Sequence, residues 1–422
     1  MNDLLRRWVV ILLATGLALL GLLVAPSPVV TGAALPAVEP DPYSVCPVAE
    51  AGGGFSSRLG VSGGDRGRIS VIGGSREVEI LVREGAFLME VGELAELGTT
   101  PILVEASSPA AIFSRAGAVA AVSGCTPAAD GEAAIMGMST AEGDGSTLVL
   151  VNPFASEARV RLLGASEFGI DTPAELEEMT LPPATTVEVV LDQSMAGRQS
   201  LSFGLVVDSG LVTAGMKRSG PTDVAASEAV AGGTQWFFAL PDFGFDGEIH
   251  LRSLADVDTA FRVDRIQPDG IVEGVSEGNL LAQTLLVIPV EEVAGPGSGI
   301  VVSAVEPVAA AIVYSVEGVR AVASGIAEAA STWSVPVSAV LTEGQTTLWI
   351  LNTSGEPLVA QISRPGVGAT QTAQLPAGMT TGVFVTGARG GAIEVSADGS
   401  IVVFFGVLSG TSVGMAAAVP MG

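Results

Sequence analysis

The sequence predicts an all-β protein, built as four tandem immunoglobulin-like β-sandwich units behind an N-terminal signal or anchor helix and a Pro-rich stalk. Three observations carry this. Short alternating apolar runs recur along the chain, turns rich in Gly, Pro, Ser and Asp separate them, and helical periodicity is nearly absent. The chain has 422 residues, of which 54 are Gly and 24 Pro.

Four segments open alike, at Ile69–Gly73, Leu148–Asn152, Ile249–Ser253 and Leu348–Asn352. A second alternating run follows each turn: Val78–Ile80, Ala158–Leu162, Thr259–Val263 and Leu358–Ile362. Strand, turn and strand at this spacing read as a hairpin with one buried face. Each unit then closes on what reads as a second hairpin. The clearest are Pro101–Ile112 and Ile300–Ile312, tipped by Pro109 and Pro307. Their counterparts turn at Asp208-Ser209-Gly210 and Asp398-Gly399. Glu90–Leu97 and Pro173–Met179 have room for a helical turn or two.

The first strands begin at 69, 148, 249 and 348, giving periods of 79, 101 and 99 residues. Units of this size suit a two-sheet sandwich. A propeller blade needs only about 40–50 residues. The expected domains are therefore 1–25 (signal or anchor), 26–45 (stalk), 46–124, 125–222, 223–330 and 331–422 (sandwich units). Cys46 and Cys125 precede the first two opening strands, and Trp236 and Trp333 the last two.

Arg6 and Arg7 precede an uncharged run, Trp8–Val24, which reads as a signal peptide or an uncleaved anchor. Everything after residue 25 is then extracytoplasmic, and the N-terminus of an anchored form stays inside. The protein is expected on the cell membrane, held through residues 8–24, or secreted. Pro26, Pro28, Pro36, Pro40 and Pro42 mark a semi-rigid stalk. An exported chain with two cysteines pairs them, so Cys46–Cys125 is the expected disulfide. A loop of this length makes it worth roughly 4–5 kcal/mol in the chain-entropy view.

The formal net charge of −26 excludes a nucleic-acid binder. One His (His250) and two Cys exclude His-rich and Cys-based metal centres. Gly60-Val61-Ser62-Gly63-Gly64 and Gly410-Thr411-Ser412-Val413-Gly414 match the nucleophile-elbow string, but neither precedes a helix. Asp242-Phe243-Gly244 copies a kinase tripeptide without the loops that give it meaning. Asp242, Asp246 and Glu248, or Asp256, Asp258 and Asp264, are the oxygen donors from which a calcium site or a sugar-cleaving pair would be drawn. Both groups are read as solvated loop acids, and Asn152 and Asn352 as residues ending a strand. No catalytic residue, cofactor or metal is assigned.

Acids outnumber bases 37 to 14 over residues 39–300, but only 7 to 3 over 301–422. The last unit is therefore the more promising partner surface.

The Cys- or Trp-opened units, the strands ending in Asn-Pro (Asn152-Pro153) or Asn-Thr (Asn352-Thr353), and the Pro-tipped closing segments resemble one family. They are similar to the actinobacterial secreted proteins of domain-of-unknown-function family 5719. An Arg-to-Lys ratio of 18 to 1 agrees with a high-GC genome. The resemblance implies an envelope protein beside cell-wall polysaccharide machinery, and it transfers no catalytic residue. The expected function is a non-enzymatic scaffold or binding module for cell-envelope assembly, with an envelope protein or polysaccharide as partner. The competing expectations are a polysaccharide-acting enzyme and an adhesion module, both using the acidic loops.

Overall fold

The computed structural model describes residues 43–421, except 49, 52–55, 63–66, 73–76, 81–85, 92–97, 100, 106–109, 117–118, 130, 220–223, 269–271, 317, 337–344, 365–369, 386–392 and 410–411. The signal or anchor segment, nearly all of the stalk and Pro109 lie outside the described residues. So does most of Glu90–Leu97. Among the described residues no helix is long and apolar enough to cross a membrane.

The described chain is strands and connections, with 3-10 turns at Ala174–Leu176 and Val290–Glu292. A first set comprises β1 (Ser44–Cys46), β2 (Glu50–Ala51), β3 (Ser56–Ser62), β4 (Gly67–Val71), β5 (Glu77–Ile80), β6 (Ala86–Glu90), β7 (Gly98–Thr99), β8 (Ile102–Glu105), β9 (Ala110–Ala116) and β10 (Val119–Gly124). A second holds β11 (Glu132–Met138), β12 (Gly145–Asn152), β13 (Ala158–Ser166), β14 (Gly169–Ile170), β15 (Met179–Leu181), β16 (Thr185–Val190), β17 (Leu201–Ser209), β18 (Thr213–Ser219) and β19 (Val224–Glu228). The third runs through β20 (Val230–Ala231), β21 (Gly233–Ala239), β22 (Asp246–Ser253), β23 (Thr259–Ile266), β24 (Val272–Leu280), β25 (Leu285–Pro289), β26 (Gly299–Val316) and β27 (Val319–Ser324). The fourth contains β28 (Ala330–Val335), β29 (Gln345–Asn352), β30 (Leu358–Ser363), β31 (Thr370–Leu375), β32 (Thr380–Val385), β33 (Ile393–Ser409), β34 (Ser412–Ala417) and β35 (Val419–Pro420).

One pairing order recurs in all four sets. A four-stranded antiparallel ladder runs β6-β3-β9-β10, then β16-β12-β18-β19, β25-β22-β26-β27 and β32-β29-β33-β34. A companion ladder runs β5-β4-β8-β1, β15-β13-β17-β11, β24-β23-β26-β21 and β31-β30-β33-β28. The 18-residue β26 and the 17-residue β33 each serve both ladders.

This order corrects the expected hairpins. Only β4 and β5 form the opening one. In the other sets the first strand pairs in one ladder and the second in the companion ladder, so the Asn-containing turn is an arch between layers. The closing segments do not reverse either. β17 hands over to β18 in the other ladder at Gly210 (φ +82°), and β26 runs straight through Pro307. Gly and Pro bend a strand as it changes sheets just as they serve a tight reversal, so composition alone does not separate the two. The true reversals lie later, where Ala116 pairs with Val119, Val316 with Val319 and Ser409 with Ser412. The strand of the first set that matches β12, β22 and β29 is β3. The repeat therefore begins at 56, 145, 246 and 345, and the first spacing is 89 residues. Cys125 does not open the second set. Its N–H donates to Ala110 O, and it trails β10.

The sets close into a ring. β10 lies against β19, β19 against β27, β27 against β34, and β34 against β10. These inner strands read Val-Ala-Ala-Val-Ser-Gly, Val-Ala-Ala-Ser-Glu, Val-Arg-Ala-Val-Ala-Ser and Ser-Val-Gly-Met-Ala-Ala. Small residues are required where four backbones converge. A side chain at Gly414 would meet Val122 Cγ2 at 3.1 Å, and one at Gly406 would meet Gly414 O at 2.4 Å. Per-set length argues against a propeller, yet the four ladders surround an axis as propeller blades do.

Ring closure buries both faces of the blade strands. On β12, Leu148 and Leu150 join the core with Val160 and Leu162, while Val149 and Val151 pack on Val45, Val48 and Ala121 of the first set. On β29, Trp349 meets Phe243 of the third set edge-on at 6.1 Å. On β3, Ser62 Oγ lies 2.8 Å from Ser334 Oγ of the fourth set, which joins the ends of the ring. This is why β12 and β29 carry unbroken apolar stretches, Leu148–Val151 and Leu348–Leu351, rather than clean alternations.

Asn152 and Asn352 hold the arches. Asn152 Nδ2 donates to Ser156 O and Leu181 O, and its Oδ1 accepts from Phe154 N–H. Asn352 Nδ2 repeats this to Glu356 O and Leu375 O, with Ser354 N–H donating to its Oδ1. Both are buried. Asn352→Ala strands these partners and is expected to cost about 2–3 kcal/mol by thermal or urea unfolding. Asn352→Ser, the residue at the matching position of the third set, is expected to cost less. An unchanged midpoint for Asn352→Ala would show that the arch does not depend on the amide.

Candidate functional site

The inner strands run alike, so Gly124, Glu228, Ser324 and Ala417 end together at one mouth of the axis. A cavity of ≈ 260 Å³ opens there, with walls from all four sets, among them Cys125, Glu228, Trp236, Ser324 and Ala417. Its one carboxylate, Glu228, is the pin of the ring. Oε2 accepts from Gly124 N–H at 3.0 Å and from Ser123 Oγ at 3.3 Å, and Oε1 accepts from Ser324 Oγ at 3.2 Å. A strand of the second set thus ties the first and third. The disulfide Cys46–Cys125 joins β1 to the residue after β10, beside this mouth. Sequence reading missed Glu228, because nothing local marks the last residue of a short strand as a junction.

A second cavity, ≈ 340 Å³, lies on the third set and is lined by Asp246, Glu248, Glu291, Ser315 and Arg320. His250, buried on β22, places Nε2 at 3.1 Å from Glu248 Oε2. That hydrogen bond holds the Glu248 carboxyl below its ordinary value. A glycosidase acid needs the opposite shift, with its proton kept to neutral pH. Arg320 also approaches Asp144 at 3.6 Å, and Asp144 accepts from the buried Arg218 at 2.8 Å, which links the second and third sets. Among the described residues, this cavity offers an acid-rich surface with one guanidinium.

The acids singled out from the sequence do not assemble. Asp246 and Glu248 share the acidic cavity, while Asp242 lies against β32, where a side chain at Gly382 would meet its Oδ1 at 2.7 Å. Asp256 accepts from Gln283, Asp258 accepts from Ala282 N–H, and Asp264 is buried with Arg262 at 2.8 Å. Among the described residues no group of three or more His, Cys, Asp or Glu is arranged to hold a metal ion. Ser62 and Ser412 of the two G-x-S-x-G strings lie on β3 and β34, not on strand-to-helix turns.

Another buried ionisable group, on the same strand as His250, is a structural one. Arg252, 1% exposed on β22, faces the second set and donates to Leu163 O at 2.6 Å and to Gln283 O. Burial pulls its guanidinium down to about 10.

The chain is thus an all-β protein of several sheets, with buried polar groups that hold the layers of one set together, as Asn152 and Asn352 do, or reach the next set, as Arg252 does. The family of unknown function DUF5719 matches residues 110–403, from the start of β9 into β33, and the chain belongs to that family. No curated protein matches the chain.

Two outcomes follow. Glu228→Ala removes three acceptor contacts at the axis and is expected to lower stability by about 2 kcal/mol, read as a lower Tm. An unchanged Tm would show that the ring closes without it. Glu248 titrates below its usual value of 4.5 when folded, so the stability it adds is present above that pH and is lost as pH falls through the folded value. The Tm gap between wild type and Glu248→Gln should therefore be open at neutral pH and close in acid. A gap independent of pH would contradict the His250 contact.

Proposed function

We propose that this protein is an exported, non-enzymatic envelope protein that works as a scaffold or binding module in cell-envelope assembly, anchored through residues 8–24 or secreted. In this reading the four strand sets are tandem immunoglobulin-like sandwich units that follow the Pro-rich stalk in the chain. The observation that carries the reading is where the polar side chains are spent. Glu228, Asn152, Asn352 and Arg252 all hold one layer or set to another, which is the investment of a rigid presenting body. The disulfide fits an oxidising compartment outside the cytoplasm. A net charge of −26 suits a soluble body that stands off anionic surfaces.

The second reading, a polysaccharide-acting enzyme, draws support from the acid-rich cavity at Asp246 and Glu248. Against it, His250 holds the Glu248 carboxyl below its ordinary value, the opposite of what a proton-donating acid needs.

Fractionation of cells producing the full chain tests the proposal. The protein is expected in membranes or medium, digestible by protease added outside. The joint variant Asp242→Ala, Asp246→Ala, Glu248→Ala should fractionate alike and keep the wild-type crosslinking pattern in native envelopes. Cytosolic protein would overturn export, and loss of a polysaccharide-cleaving activity in the joint variant would overturn the non-enzymatic reading.

A further inference from the structure

The repeated strand order lets each set serve as a control for the others. At the arch end of the second companion ladder, Ser156, Pro182 and Asp208 occupy the turn after β12, the residue after β15 and the point where β17 leaves the sheet. The fourth set has Glu356, Pro376 and Asp398 at the matching positions. The third set has Val257, Leu281 and Val305. These three are 56%, 58% and 70% exposed, among the most open large apolar residues of the described chain.

Register groups them. Thr259 pairs with Leu280 at the foot of the arch, Asp258 accepts from Ala282 N–H, and Thr259 Oγ1 accepts from Glu306 N–H. The patch therefore brings together the arch, the start of the next connection and the middle of β26. Its surroundings are acidic: Asp256 and Asp258 are exposed, and Glu306 is half-buried. Two bases of the described residues lie nearby and both are engaged: Arg262, opposite Ser303 on β23, is bound to Asp264 at 2.8 Å, and Arg161 of the second set to Asp208 at 3.1 Å. Aliphatic side chains exposed at positions that the second and fourth sets fill with Ser, Glu, Asp or Pro mark an interaction surface.

We propose that Val257, Leu281 and Val305 form a docking patch for a partner protein segment in which aliphatic side chains alternate with basic ones. Charge selects this occupant. The acidic surroundings and the net charge of −26 oppose a second copy of the chain and an anionic membrane, and attract Lys and Arg. The patch gives the binding module a defined contact point and rests on that reading for the existence of a partner. Its failure would leave the fractionation result untouched.

The test uses the exported body and a short labelled peptide alternating lysine and valine, with a glutamate-valine peptide as control, at about 150 mM salt. The lysine peptide should bind and the glutamate peptide should not. Val305→Asp installs what the second and fourth sets carry at this position, so the fold accommodates it. It also adds negative charge, so simple attraction between a cationic peptide and an acidic protein would strengthen binding. Docking on the patch instead predicts about tenfold weaker binding, with Leu281→Gln acting alike. Phe384→Ser, at an exposed apolar residue of the fourth set, should leave binding unchanged. Equal or tighter binding by Val305→Asp overturns the proposal. So does a dimer of the unliganded protein, or attachment to neutral lipid vesicles, that Val305→Asp abolishes, since the occupant would then be a second copy or a membrane surface.

Discussion

Everything in this molecule depends on four strands being able to meet at one axis. β10, β19, β27 and β34 approach closely enough that glycine, alanine and serine fill most of the contact positions. A methyl group at Gly406 would press on the Gly414 carbonyl, and one at Gly414 on Val122, whose Cγ2 and backbone nitrogen lie at 3.1 and 3.2 Å. Because the ring is closed, a shift at one inner strand is felt by both neighbours. Close packing of this kind has no slack to absorb it.

Closure also explains the unusual blade strands. A strand at the face of an isolated sandwich buries one side. Here Val149 and Val151 are covered by the preceding set as fully as Leu148 and Leu150 are covered by their own. The third set breaks the rule, with His250 and Arg252 where its neighbours carry Val149 and Val151, or Trp349 and Leu351. Two buried polar side chains cost stability unless hydrogen bonds satisfy them. Arg252 meets part of this demand by donating to the Gln283 carbonyl and, across the boundary, to the Leu163 carbonyl. Such a contact specifies which set lies next to which, because no aliphatic neighbour reproduces it.

Much of the fold was legible in the sequence, and the illegible part has a physical reason. Strand positions follow from period-two patterns, and Asn152 and Asn352 announce their turns through local geometry. The Cys46–Cys125 bond follows from compartment and cysteine count. Pairing partners do not follow, because alternation says that a face is buried and not what buries it. Pro307 and Gly210 were therefore legible as bends and illegible as reversals or sheet changes. Glu228 was hidden for the same reason: its three donors come from residues 104, 105 and 96 positions away. The exposed patch on the third set became visible only once the correct strand register put Val305 beside its counterparts, Asp208 and Asp398.

The central claim is that the first and fourth sets touch and close the ring. Ser62 and Ser334 face each other at that seam, with their hydroxyl oxygens 2.8 Å apart and 272 residues between them in the chain. The most direct measurement is disulfide trapping of a Ser62→Cys, Ser334→Cys double variant under mild oxidation. A closed ring predicts a crosslink within one chain, seen as a faster-migrating monomer on a non-reducing gel and as a peptide joining the two sites by mass spectrometry. Absence of that peptide, or crosslinks only between separate chains, would contradict closure and leave four sets strung in an open row.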